Sequence, residues 1–156
     1  MTILKISPLG EGFDFDKFDC GFEEVNNYLK NKALAQEREK ISKIYVVLKE
    51  KRVIGYSAIF CSHLYLKLRN QNKEFRVPGI CIGQLGVDLE FQKKGIGKTI
   101  VQHAISLVAK INNYSGCRIV FVDAYDDAVE YYEKLNFHLV QSQPNRNKMV
   151  LDIVDI

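Results

Sequence analysis

Tryptophan is absent from this 156-residue chain, and proline and histidine occur three times each. With prolines so few and ten glycines dispersed, no Pro/Gly/Ser-rich linker, repeat or low-complexity tract divides the sequence. The four cysteines (Cys20, Cys61, Cys81 and Cys117) are widely spaced and form no Cys-x-x-Cys pair. That excludes a zinc-ribbon pattern and argues against a disulfide framework, so they read as buried, reduced thiols of a cytosolic protein. His63, His103 and His138 are scattered, and no metal site is expected. No apolar stretch approaches membrane-spanning length, which leaves no membrane partner to expect. Met1 to Asp16 lacks a basic region followed by an apolar run. No signal peptide is therefore expected, and the expected location is cytoplasmic.

What is present is the composition of a globular protein: 47% hydrophobic and 26% charged residues. The length suits one domain over residues 1–156, with a full hydrophobic core. Net charge is only +3, but from Lys30 to Arg76 basic residues far outnumber the acids Glu37, Glu39, Glu50 and Glu74. Such a surface suits a polyanion, and it equally suits a solvated face that keeps a protein soluble.

Apolar periodicity outlines the elements. Phe22 to Lys40 reads as one or two helices with Val25, Tyr28, Leu29 and Ala33 inward. Ile44–Leu48 and Val53–Phe60 predict a hairpin across the polar turn Lys49–Arg52. Ile80–Val87 is strand-like, and Thr99–Lys110 is helical, with Ile100, Ala104, Leu107, Val108 and Ile111 on one face. Arg118–Asp123 reads as a buried strand and Lys148–Ile153 as a closing edge strand. Helices, a meander, then strand–helix–strand–helix–strand predict an α/β (α+β) fold: a mixed central sheet with helices on both faces.

Between the 80–87 strand and the following helix lies Gln92-Lys93-Lys94-Gly95-Ile96-Gly97-Lys98. Glycines let backbone approach a ligand closely, and amides at a helix start point outward without partners. With the helix dipole and three lysines, this junction suits a pyrophosphate. It is not a nucleotide P-loop, because Glu90, Phe91 and Gln92 stand where a first glycine would lie. Nor is it a dinucleotide fingerprint, since position 100 is Ile, not a third glycine.

The segment does resemble Gln/Arg-x-x-Gly-x-Gly/Ala, the coenzyme A pyrophosphate loop of GNAT-type N-acetyltransferases. Leu85-Gly86-Val87-Asp88 resembles the strand before that loop, where a backbone amide near Leu85, Gly86 or Val87 would hold the oxyanion. A second element agrees. Asp127 with Glu130 three residues on reads as a capping box, and Ala128, Tyr131, Tyr132 and Leu135 share a face. Asn136 suits a left-handed helix stop. The string Ala128 to Phe137 is similar to the family's Ala-x-x-Phe-Tyr-Glu-Lys-x-Gly-Phe signature, which implies that Tyr132 protonates the departing thiolate. A phenol, with a reference pKa of ~10, is protonated at neutral pH and fits that role. Tyr131 reads as core packing. The resemblance further implies the GNAT fold with a mostly antiparallel sheet. It places acetyl-CoA on Leu85–Val87, Gln92–Lys98, Asp127 and Tyr132.

Phe18-Asp19-Cys20-Gly21 and the helix after it resemble the opening of TacT-type GNAT toxins. That resemblance implies acetylation of the α-amine of aminoacyl-tRNA and a ribbon-helix-helix antitoxin as partner; a homodimer is also expected. The chain departs from the family pattern in places. Tyr125 stands where many relatives carry an asparagine, and no glutamate on the 80–87 strand can act as base. Gln84 cannot do so, and Asp88 reads as a cap. A missing base favours an α-amine, with pKa ~7.7–8.0, over a lysine at ~10.4. An acetyltransferase of small-molecule or protein amines, and a non-catalytic acyl-CoA-binding module, are the alternatives.

Overall fold

A computed structural model describes residues 4–155. The strands are β1 (Lys5–Pro8), β2 (Lys43–Lys49), β3 (Arg52–Lys67), β4 (Glu74–Val87), β5 (Ile119–Ala124), β6 (His138–Gln143) and β7 (Arg146–Asp152). The α-helices are α1 (Glu23–Asn31), α2 (Ala33–Arg38), α3 (Ile96–Ile111) and α4 (Val129–Lys134). One seven-stranded sheet has the order β1-β2-β3-β4-β5-β7-β6. β4 pairs with β5 in parallel, whereas β1–β2, β2–β3, β5–β7 and β6–β7 are antiparallel. The sheet is mixed, as the element order implies, and mostly antiparallel, as the family resemblance implies.

Two compact units divide the chain: the first runs to Phe60 and resumes over Gly83–Val101, and the second takes Cys61–Ile82 and the chain from Gln102 onward. In the first unit, alternation along β2 decides which face receives which helix. Ile44, Val46 and Leu48 join Val25, Tyr28 and Leu29 of α1 and Ala33 of α2. Val47, on the opposite face, joins Ile54 with Ile96 and Ile100 of α3. Helices therefore cover both faces of this part of the sheet. The helical stretch after Phe22 breaks at Lys32 (φ −125, ψ −29). Beyond the break, Glu37 accepts bonds from the Ile44 amide (2.7 Å) and Lys43 Nζ (3.0 Å), fixing α2 on β2.

In the second unit, Val77, Cys81, Ile119, Phe121 and Val150 form a core cluster. A Cβ on Gly79 would lie 2.1 Å from the Ile119 carbonyl oxygen, so only glycine allows β4 and β5 this close. The segment that reads as a closing edge strand is not at the edge. β7 lies between β5 and β6, and β6 is the edge strand at that end of the sheet. All six β6 residues are exposed, which removes the apolar alternation that would announce a strand. The thiols also divide: Cys20, Cys81 and Cys117 are buried, but Cys61 is exposed. Among the described residues no helix is long and apolar enough to cross a membrane.

Candidate active site

In the first unit, the segment from Asp88 to α3 is built around a buried carboxylate. Asp88 accepts from the amides of Asp19 (3.2 Å) and Glu90 (3.0 Å), and Arg52 Nη2 lies 3.5 Å from it. The Glu90 bond makes Asp88 the N-cap of the 3-10 turn Leu89–Phe91, rather than a cap of the strand before it. Leu85 and Val87 pack with Phe91 against Val47, Ile54, Ile96 and Ile100. A Cβ on Gly86 would stand 2.8 Å from Val25 Cγ1, so this glycine lets α1 pack closely on β4.

The two loop glycines differ. Gly95 has φ 83 and a Cβ there would meet nothing within 4 Å, so backbone conformation alone requires glycine. Lys93, at φ 63, is left-handed as well. Gly97 is instead buried in the first turn of α3, which starts at Ile96, ahead of Thr99 where the apolar period begins. Lys93, Lys94 and Lys98 are exposed. Lys94 Nζ stands 5.5 Å from the Phe91 ring centroid, which Lys49 Nζ and the Arg52 guanidinium each approach to 5.3 Å. Gln92 does something its motif position does not announce. Its Nε2 donates to the carbonyls of Val87 (2.9 Å) and Cys20 (3.1 Å), tying the loop base to the N-terminal segment. A sixteen-residue helix with outward amides and lysines around its start can bind an anion.

In the second unit, Tyr132 lies on α4. Its ring meets Tyr131 edge-on at 5.3 Å and Phe137 at 5.4 Å. Burial, then the neighbouring Tyr131 and Cys81, push its phenol well above the ordinary tyrosine value. The hydroxyl is thus held protonated and can donate to a departing thiolate. Tyr131, read as core packing, is 42% exposed, because the short helix turns that side outward. Asn136 takes the left-handed stop (φ 72), where its amide donates to Glu133 and that of Phe137 to Tyr132 (3.0 Å each).

The capping box does not form. Asp127 is exposed within the 3-10 turn Asp126–Ala128, and Ala128, the residue before α4, makes no side-chain cap bond. Asp126 is the anchored residue: its amide is bound by Asn145 and its carboxylate by Asn147, which sets the turn before a cap can act. Neither asparagine stands out in the sequence. Both lie in the polar stretch Gln141–Lys148, so nothing local singles them out.

Residues 40–139 match the acetyltransferase (GNAT) domain family. A tRNA-acetylating toxin of Mycobacterium tuberculosis is 26% identical over 141 residues, spanning 87% of this chain and 85% of that protein. Among solved structures, AtaT complexed with acetyl-methionyl-tRNAfMet superposes with a TM-score of 0.86 at 25% identity, covering 98% of this chain and 96% of that one. A tyrosine-to-phenylalanine mutant of the AtaT toxin, bound to the C-terminus of the antitoxin AtaR and acetyl-CoA, gives 0.83 at 26% identity. That match covers 97% of this chain and 94% of the other.

Proposed function

This chain belongs to the GNAT acetyltransferase family, and from that premise we propose that it acetylates the α-amine of aminoacyl-tRNA and so acts as a translation-blocking toxin. The observation that carries this reading is the likeness, over nearly the whole chain, to a tRNA-acetylating toxin and to a toxin complexed with acetylated methionyl-tRNA. We take residues 1–156 as one acetyltransferase domain, a reading supported by likenesses that cover nearly the whole chain.

Acetyl-CoA is the co-substrate. The amides of Lys93, Lys94, Gly95, Ile96, Gly97 and Lys98 take its pyrophosphate at the start of α3, with Gln92 bracing the loop from below. A backbone amide among Leu85, Gly86 and Val87 holds the carbonyl oxygen as charge develops. Asp127, exposed on the β5–α4 turn, is assigned to the cofactor by the sequence resemblance alone. The unprotonated α-amine attacks the thioester carbonyl, and the tetrahedral adduct expels the coenzyme A thiolate. Tyr132 gives that thiolate its proton, and the proton lost by the amine nitrogen passes to water, from which the Tyr132 phenolate is reprotonated. With a pKa of ~7.7–8.0, an α-amine is substantially free at neutral pH and needs no strong base.

The working place is the cytoplasm, where charged tRNA and acetyl-CoA meet. An antitoxin is the expected protein partner, by analogy with the AtaT–AtaR complex, and its ribbon-helix-helix class and a homodimer rest on the sequence resemblance alone. The test is incubation with labelled acetyl-CoA and total charged tRNA. Label on the aminoacyl end of tRNA is the expected result. Label on a polyamine or protein lysine, with charged tRNA untouched, would make this a small-molecule or protein acetyltransferase. Binding without transfer to any acceptor would leave an acyl-CoA-binding module.

A further inference from the structure

Asn147 is only 4% exposed and is the second residue of β7, ahead of Met149 and Val150. It stands in register between Ala124 of β5 and Ser142 of β6. Its Nδ2 donates to the Ala124 carbonyl (3.1 Å) and to Asp126 Oδ1 (2.7 Å), and its Oδ1 accepts from Ser142 Oγ (2.9 Å). Asn145, in the left-handed conformation at φ 56, accepts from the Asp126 amide at 3.0 Å. Both residues flanking Tyr125 are therefore held: Ala124 by its carbonyl, Asp126 by its amide and its carboxylate.

A buried amide with these bonds satisfied is costly to remove, and here both Nδ2 bonds go to the point where β5 gives way to α4, while Oδ1 ties it to β6. That helix cannot orient itself. It is six residues long, far below the length at which a helix is stable alone, and it has no side-chain cap and no fully buried residue. Its direction is fixed at its two ends: the Asn136–Phe137 stop behind Tyr132, and the Asn145–Asn147 clamp before Val129.

We propose that Asn147, with Asn145 and Asp126, is a positioning device that sets the direction of α4 and thereby aims the Tyr132 hydroxyl. The proposal rests on Tyr132 being the proton donor, and the test separates the two. Asp126 is exposed, so Asp126→Ala removes the acceptor for Asn147 while sparing the core. It should lower kcat on the order of ten- to a hundredfold, the cost of a misplaced reacting group, with KM for acetyl-CoA unchanged. Asp126→Asn retains an acceptor oxygen at the same place and should restore most of the loss. In a Tyr132→Phe background, Asp126→Ala should cost little more, because the group it aims is already gone. Wild-type turnover in Asp126→Ala, or the same fold loss in both backgrounds, would overturn the positioning role alone. Wild-type turnover in Tyr132→Phe would overturn the acid assignment and this proposal with it.

Discussion

The side-chain amide of Gln92 donates to the carbonyl of Cys20 at 3.1 Å, across 72 positions of sequence, and to that of Val87 at 2.9 Å. One side chain thus fastens the N-terminal segment and the end of β4 to the base of the glycine loop. Gln92→Glu keeps the shape but replaces the donor with a charge facing two carbonyls. It should cost about 1–3 kcal/mol of stability, the usual penalty for leaving such groups unpaired. Urea unfolding measures this; an unchanged midpoint would mean that the two bonds contribute nothing.

The Gly95 backbone, at φ 83, sits in a region that disfavours any side chain. Gly95→Asp adds strain and a negative charge where pyrophosphate is proposed to bind. By calorimetry, acetyl-CoA affinity should fall at least tenfold in a folded variant. Binding as tight as wild type would remove this loop from the cofactor site.

The sequence makes these loop residues visible because a strand, paired glycines and an amphipathic helix follow one another within a short span. It makes the core of the sheet visible for a similar reason: Ile44–Leu48, Ile80–Val87 and Arg118–Asp123 are locally apolar and β-branched. It does not show β6, whose residues all face solvent, nor the break at Lys32, where no proline or glycine marks the end of α1. The site is legible in part. Tyr132 and Gly95 come from local motifs, whereas the partner of Gln92 and the anchoring of Asp126 by Asn147 depend on contacts between distant segments. Asp127 rather than Asp126 fits a capping pattern, and only the strand pairing reveals which of the two is held.

Lys43 is engaged by Glu37 at 3.0 Å, but Lys49 is exposed at the end of β2 with its ammonium over Phe91. Phosphate contacts from such lysines should make acetylation of charged tRNA fall steeply with salt, while transfer to a small amine changes little. Lys49→Glu should raise KM for tRNA several-fold and flatten the salt dependence, leaving acetyl-CoA binding intact. An identical salt slope in wild type and variant would exclude Lys49 from the RNA surface.

Burial, helped by the nearby Asp123 charge and opposed by Lys148, pushes the Cys81 thiol up to about 12. In the unfolded chain the thiol ionises near its ordinary value of 9.0. The folded state thus holds the proton more tightly, and this stabilisation is complete below pH 9 and lost as pH rises from 9 towards 12. Replacing Cys81 with Ala should shrink the drop in stability between about pH 8 and about pH 10.5 relative to wild type. Equal drops would show that the thiol is not shielded.

The most direct test compares single-turnover acetylation of charged tRNA by wild type and Tyr132→Phe at saturating acetyl-CoA. Loss of one positioned proton donor should slow transfer on the order of 10²- to 10⁴-fold, with acetyl-CoA affinity nearly unchanged. Equal rates on charged tRNA, or no acetylation of charged tRNA by the wild-type protein, would contradict the proposed chemistry.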